Sequence, residues 1–483
     1  MIYFLPKKFL MIIFQSFMET KIEPSIKLLL SLSILAISFG SCHREAMVPT
    51  TENQPLTNNA ADLDAHISDR WMRLYLDMDK DLSSFRPAAA ARAIGYISMG
   101  AYEVILPGMH GYVTNATYQS SLKIPSLPIN KYEINWHAAL NAYYSEMFRY
   151  FMINRNASQT AQIDAVENEM NLEMRDKMFT DVFNNSTRWG EMVANAMIDF
   201  AISDREGSLQ SLQAFPNDYV TPSGSGKWAP TDVNNRRALF PYWGKVRSFV
   251  AKDDDLLAMP PVPYSEDINS EYYQQHKLTN DAVTNLTNDQ RWQAEFWSDD
   301  IVGLTFSQPA RLIAIARQVL NTENFRMDQT IYFYCKLGIA INDASVAAWN
   351  SKYSYNTERP ETYIRKFINP SFNSILGNAI NMPGLNPPYP AYPSANGTFA
   401  GIKEVVFGHF FGRSYKISDL SHEGRIEFMS NPRNFDNWNQ MAEENAYSRI
   451  FLGVQVKMSC DEGLRLGNII ARKAINNYNL KVK

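Results

Sequence analysis

Between residues 62 and 480, apolar side chains recur at every third or fourth position over long stretches, the periodicity of helices that bury one face. The pattern predicts helices over 87–104, 136–153, 157–184, 186–204, 280–297, 305–321, 327–349, 401–411 and 464–477. The first opens with Pro87 and an alanine run, which places a proline in the first turn and leaves a small-residue face for close helix contact. Alternation of period two is scarce. The predicted fold class is therefore all-α, a helical bundle, with order beginning near Asp62 and residues 62–483 forming one domain. The stretch 215–266 interrupts the periodicity with Pro, Gly, Asp and Asn. Its aromatic residues Trp228, Phe240, Tyr242, Trp243 and Phe249 predict a segment packed onto the bundle rather than loose in solvent.

The N-terminal residues follow a different pattern. An apolar run over 28–39 is preceded by Lys21 and Lys27 and closes in Ser-Phe-Gly-Ser-Cys42, too short for a spanning helix and shaped like a signal peptide. Its end resembles the lipobox of bacterial lipoproteins. Residues 1–41 are thus expected to be a signal peptide, Cys42 the lipid attachment point, and 42–61 a polar tether. Met18 begins a segment that reads as a complete signal and is an alternative start. The expected location is outside the cytoplasm, with the lipid holding the chain to a cell-envelope membrane.

Charge and cysteine content narrow the field further. With 46 Lys and Arg against 50 Asp and Glu, the net charge of −4 gives no general attraction to nucleic acid, so an anion site has to be local. Three cysteines are too few for a disulfide scaffold, and no structural disulfide between Cys335 and Cys460 is expected. Asp253, Asp254 and Asp255 lack the ligand alternation of a calcium loop and are read as a solvated turn. Asp461 and Glu462 are read as helix-start acids. No metal site is expected.

Chemistry concentrates between 343 and 466. Lys352 and Arg359-Pro360 follow a long helical pattern, and a guanidinium fork with a lysine charge can neutralise much of a tetrahedral dianion. A proline-rich approach, 387–393, ends at Ser394-Ala395-Asn396, where a hydroxyl and main-chain N–H groups at a helix start suit an anion. Ser448-Arg449 supply a further cation. Taken singly, these are surface cations, an N-cap and an ion-pair residue.

Together, Lys352 with Arg359-Pro360, then Pro393-Ser394, then Ser448-Arg449 resemble in order and spacing the motifs of the vanadium haloperoxidase and type 2 phosphatidic acid phosphatase superfamily. Residues 87–102, the Gly-Lys-Trp228-Ala-Pro-Thr segment and 239–249 resemble its bacterial haloperoxidase-related branch, so the resemblance covers most of 80–470. It implies a helical bundle of that type. It also implies that Lys352, Arg359, Ser394, the Ala395 amide and Arg449 hold phosphate or vanadate.

The departures fall on the reacting groups. Asn396 and Gln455 stand at the two positions where the family carries histidines, one an acid, the other a nucleophile or axial vanadium ligand. Ser459 stands where the family carries the aspartate that orients the second ring. A carboxamide has no proton to exchange near neutrality and is a poor nucleophile and metal ligand. His409 is expected to lie too far along its helix to substitute, and His422 to be a solvated loop residue. The expectation is a non-catalytic lipoprotein with no catalytic residue and no required cofactor. Its partner would be a phosphate-like anion or phosphorylated small molecule, with vanadate or phosphate as pocket ligands. Two alternatives stand beside it: a divergent phosphatase or vanadium-dependent haloperoxidase, and a surface interaction protein using loop 215–266.

Overall fold

The computed structural model describes residues 59–231, 237–299, 301–427 and 429–482. The signal segment, Cys42 and the tether up to residue 58 lie outside the described residues.

Helix α1 (His66–Asp79) precedes α2 (Ala88–Ile105), every residue of which is buried. Then come α3 (Trp136–Phe151), α4 (Ala157–Arg175), α5 (Thr180–Ser203) and α6 (Arg205–Leu212). The second half contains α7 (Glu271–Thr284), α8 (Asn288–Phe296), α9 (Gln308–Thr322), α10 (Met327–Tyr355) and α11 (Pro360–Phe367). It ends with α12 (Ala395–Ile402), which runs through a π-helical stretch (Lys403–Phe407) into α13 (Gly408–Phe411), and with α14 (Trp438–Phe451) and α15 (Lys457–Asn476). A two-stranded antiparallel pair, β1 (Ile417–Asp419) with β2 (Arg433–Phe435), is the sheet among the described residues. The fold is all-α, as the periodicity predicts. Among these residues no helix is long and apolar enough to cross a membrane.

Several boundaries differ from the sequence reading: the break read at 185 falls between Arg175 and Thr180, and the helix read from 401 starts at Ala395. The span 280–297 is two helices, because Thr287 and Gln290 form a reciprocal capping box that starts α8 after α7 has ended at Thr284. The last helix starts at Lys457, which puts Ser459 in its first turn and Asp461 and Glu462 beyond the helix start. Asp461 pairs with Lys457 at 2.6 Å, and Glu462 pairs with Arg465 at 2.6 Å while accepting the Met259 N–H at 2.7 Å. These are side-chain ties rather than dipole effects.

Two helix crossings set the frame, both made possible by glycine. Across α2 and α10, a Cβ at Gly95 would lie 2.9 Å from the Asn342 Cβ, and one at Gly338 2.9 Å from the Ser98 Cβ. Across α12 and α15, a Cβ at Gly467 would lie 1.9 Å from the Thr398 carbonyl oxygen, and one at Gly463 2.5 Å from that of Ser394. The second crossing presses the start of α12 against the start of α15, and the Ser394 N–H donates to the Ser459 carbonyl at 2.9 Å.

The stretch 215–266 wraps α10 as a belt. The Trp228 N–H donates to the Asn356 carbonyl at 2.8 Å, and the Trp243 indole N–H to Ser345 Oγ at 3.0 Å. The Asp343 carboxylate accepts the main-chain N–H groups of Phe249, Val250 and Ala251 at 2.7, 2.7 and 2.8 Å. Trp228, Phe240, Trp243 and Phe249 are buried, which corrects the reading of this loop as an aromatic interaction surface: the rings face the core. In the adjoining turn, Asp255 is not simply solvated, since it pairs with Lys473 at 2.7 Å.

Candidate functional site

Lys352 lies in the last turn of α10, where the helix dipole favours a cation, and the helix stops at Asn356 in a left-handed conformation (φ 52°). The chain then turns so that Arg359 caps α11, whose first residue is Pro360. Arg449 sits in the last turn of α14, and its carbonyl accepts the N–H groups of Val454 and Gln455 at 3.1 and 3.3 Å, folding the chain back into α15.

These three elements meet at the loop 387–393 and the start of α12. Lys352 Nζ donates to the carbonyls of Pro390, Ala391 and Pro393 at 3.1, 2.9 and 2.6 Å. Arg359 donates to the Tyr389 carbonyl from Nε and Nη2 at 3.0 and 2.7 Å, and from Nη1 to that of Val454 at 3.2 Å. The Tyr389 ring faces both cations, 5.0 Å from each. Ser394 caps α12, its Oγ accepting the Gly397 N–H at 3.1 Å; burial pushes the Cys460 thiol up, against a smaller downward pull from Arg449 and Ser394. Lys352, Arg359, Ser394, Ala395 and Arg449 are all buried. Main-chain carbonyls thus fix the two cations in place while the start of α12 contributes N–H groups beside them.

The three departing positions are in the same place. The Gln455 Nε2 donates to the Ala391 carbonyl at 2.9 Å, the same oxygen that Lys352 uses, and its Oε1 accepts from Ser459 Oγ at 2.7 Å. Ser459 therefore holds the Gln455 carboxamide as an orienting partner would, but the held group has no basic nitrogen. Asn396 is buried; its Oδ1 accepts from Gln308 Nε2 at 3.3 Å, and its Nδ2 has no hydrogen-bond partner. A buried donor left so costs about 1–3 kcal/mol unless a ligand or water meets it.

A cavity of about 350 Å³ is lined by Tyr389, Pro387, Pro388, Gln308, Arg86 and Asp299, among others, and two of these residues, Tyr389 and Gln308, touch the site from the other side. Sequence reasoning did not single out Gln308 or Tyr389. The first carries no motif; the second stands inside the proline-rich run, where its ring was countable but its placement over two cations was not.

Neither His409 nor His422 offers a replacement. His409 is exposed beyond the π-helical stretch. His422 is buried rather than solvated, correcting the expectation for a loop residue: its Nε2 lies 2.9 Å from the Phe296 carbonyl and its ring stacks on Phe306. Burial and the neighbouring Arg311 guanidinium push its pKa well down, so the ring stays neutral. Glu358, pushed up to about 7 by burial, is adjacent to Arg359 in sequence but accepts from Tyr272 at 3.1 Å.

A family model of the VCPO second helical-bundle domain matches residues 332–483, the span that carries every site motif. The match supports a likeness to the vanadium haloperoxidase superfamily over about a third of the chain. Among proteins of this superfamily, the chain is 24% identical to the vanadium chloroperoxidase of Curvularia inaequalis, with 56% of each chain covered, so it spans about half the length of that relative. Its fold is similar to that of the first bacterial vanadium-dependent iodoperoxidase, with a TM-score of 0.77 and 22% identity over 87% of this chain and 98% of that one. A holo-type bacterial vanadium-dependent chloroperoxidase matches with a TM-score of 0.63 and 14% identity over 83% and 93% of the two chains. The likeness therefore rests on residues 332–483, about a third of the chain, and, for the fold alone, on the solved structures.

The similar proteins are named as vanadium-dependent, and the residues present here would fit vanadate in part. Arg359, Arg449, Ser394 and the Ala395 N–H would suit the oxygens of an oxyanion, while Lys352, whose three N–H groups already go to carbonyls, would contribute through its charge. Gln455 would not serve as a ligand to vanadium, because its carboxamide is a poor metal ligand and is already bonded at both ends.

Proposed function

We propose that this chain binds a phosphate-like oxyanion, free or carried on a small molecule, in the pocket of Lys352, Arg359, Ser394, Ala395 and Arg449, and does not turn it over. The observation that carries this reading is the state of Gln455: its nitrogen donates to Ala391 and its oxygen accepts from Ser459. An attacking or vanadium-ligating atom needs an available lone pair, and a carboxamide nitrogen has none to give. Asn396 supports the same reading from the opposite side, since its buried Nδ2 can donate to an oxyanion but cannot act as an acid near neutral pH.

The enzymatic relatives frame the test. Two assays on the full chain, hydrolysis of an aryl phosphate and halide oxidation with orthovanadate and hydrogen peroxide, are expected to stay at background. Turnover that disappears in Arg449→Ala would overturn the proposal and favour a divergent enzyme.

The proposed location is a cell-envelope membrane, reached by export and held by lipid on Cys42, with no nucleic-acid partner. Support comes from the Ser-Phe-Gly-Ser-Cys42 run after a short apolar core. Labelled fatty acid is expected to be incorporated by a producing bacterium into the wild-type chain and not into Cys42→Ala; equal labelling of both would contradict lipidation at this residue.

A further inference from the structure

The side of the bundle away from these motifs carries a second cluster of ligating groups. Asp64, which precedes α1, accepts the His66 N–H on Oδ1 at 3.1 Å, a turn that fixes the entry into the helix. The same oxygen contacts His66 Nδ1 and lies 3.5 Å from Nε2 of His137, the second residue of α3. One donor atom from each of Asp64, His66 and His137 lies within 4.8 Å of the others, and the two imidazole rings are 4.7 Å apart. The other nitrogen of His66, Nε2, is buried without a hydrogen-bond partner and faces Glu173 Oε1 of α4 at 3.6 Å. The Asp64 side chain is 60% exposed, so a hydrated ion can reach the cluster.

We infer that Asp64, His66 and His137 form a binding site for a divalent transition metal of the zinc type. Two imidazoles and one carboxylate suit Zn²⁺ and exclude a preference for Ca²⁺ or Mg²⁺, which take oxygen ligands. Metal–ligand distances of about 2.0–2.1 Å in a tetrahedral site put donor atoms roughly 3.3 Å apart. The His137–Asp64 separation is already near that value. His66 binds through Nδ1, leaving Nε2–H to donate to Glu173, the outer carboxylate that commonly fixes the ring of a metal-bound histidine. His137 binds through Nε2, which in the metal-free chain lies 3.0 Å from the Asp64 main-chain carbonyl. On binding, the His66 proton sits on Nε2 and the His137 proton on Nδ1, and water completes the shell. Asp64 lies just before the first helix, so the ion ties the entry of the helical domain to α3 directly and to α4 through Glu173.

Zinc chloride titrated into the full chain by calorimetry is expected to show one site. His137→Ala should weaken it at least about 30-fold, and His66→Ala/His137→Ala should abolish it, while Arg449→Ala leaves it unchanged. Cobalt substitution is expected to give the visible ligand-field bands of a four-coordinate site in wild type and not in the double variant. Circular dichroism confirms that the variants fold, with His137→Gln as a second, closer replacement. Absence of zinc binding by the wild-type chain, or undiminished binding by folded double variant, would overturn the inference.

Discussion

Arg449→Ala is expected to weaken phosphate or orthovanadate binding at least about 100-fold, to the point where calorimetry records no saturable heat. The side chain is 2% exposed, and the proposed pocket joins it with two other buried cations and a helix start. A charge-assisted contact to an oxyanion in such a place contributes about 2–5 kcal/mol, and roughly 2.7 kcal/mol is a factor of 100. Alanine also opens space that water fills, which raises the local dielectric and weakens what Lys352 and Arg359 contribute. Circular dichroism and thermal unfolding of the variant are expected to match the wild type, since Arg449 ends a helix whose packing residues Trp438, Met441, Ala442 and Ala446 remain. Binding retained within about threefold would mean that Arg449 does not face the anion.

The second large effect is on stability. Asp343→Ala removes the acceptor for three main-chain N–H groups, those of Phe249, Val250 and Ala251, in the belt around α10. Each buried donor left without a partner costs about 1–3 kcal/mol, and Val250 regains water because it is only half-buried. A net loss of about 3–5 kcal/mol follows. With an unfolding entropy near 2.1 cal/mol/K per residue, a folded body of roughly 420 residues should lose about 3–6 °C in Tm. Asp343→Asn should lose stability as well, because its NH₂ group would face the N–H groups that the carboxylate now accepts. Differential scanning calorimetry checks both; an unchanged Tm in Asp343→Ala would show that the belt is not anchored there.

The helical plan and the cation positions were legible in the sequence for different reasons. Helices such as α2 and α10 are long and periodic, so local pattern and global fold agree. Lys352, Arg359, Ser394 and Arg449 were legible as a set because their order and spacing resemble the superfamily pattern; Lys352 and Arg359 meet at the loop 387–393 that leads into Ser394. What fixes them was not legible. The acceptors of Lys352 and Arg359 are carbonyls of 389–393 and 454, and a carbonyl has no residue-type signature. Gln308 meets Asn396 across 88 positions of sequence, and Asp64 meets His137 across 73, distances over which no local pattern operates. His422 was misplaced because a polar loop reads as solvated, whereas Phe296, Phe306 and Arg311 close over it. The split between α7 and α8 was signalled by Thr287 and Gln290, three apart, within an otherwise continuous helical pattern.

The most direct measurement is a calorimetric titration of phosphate and orthovanadate into the full-length chain, run beside the phosphatase and haloperoxidase assays on the same preparation. Saturable binding of one oxyanion per chain with turnover at background is the expected result. An absence of binding, or turnover above background that is lost with Arg449→Ala, would contradict a pocket that holds the anion and does no chemistry on it.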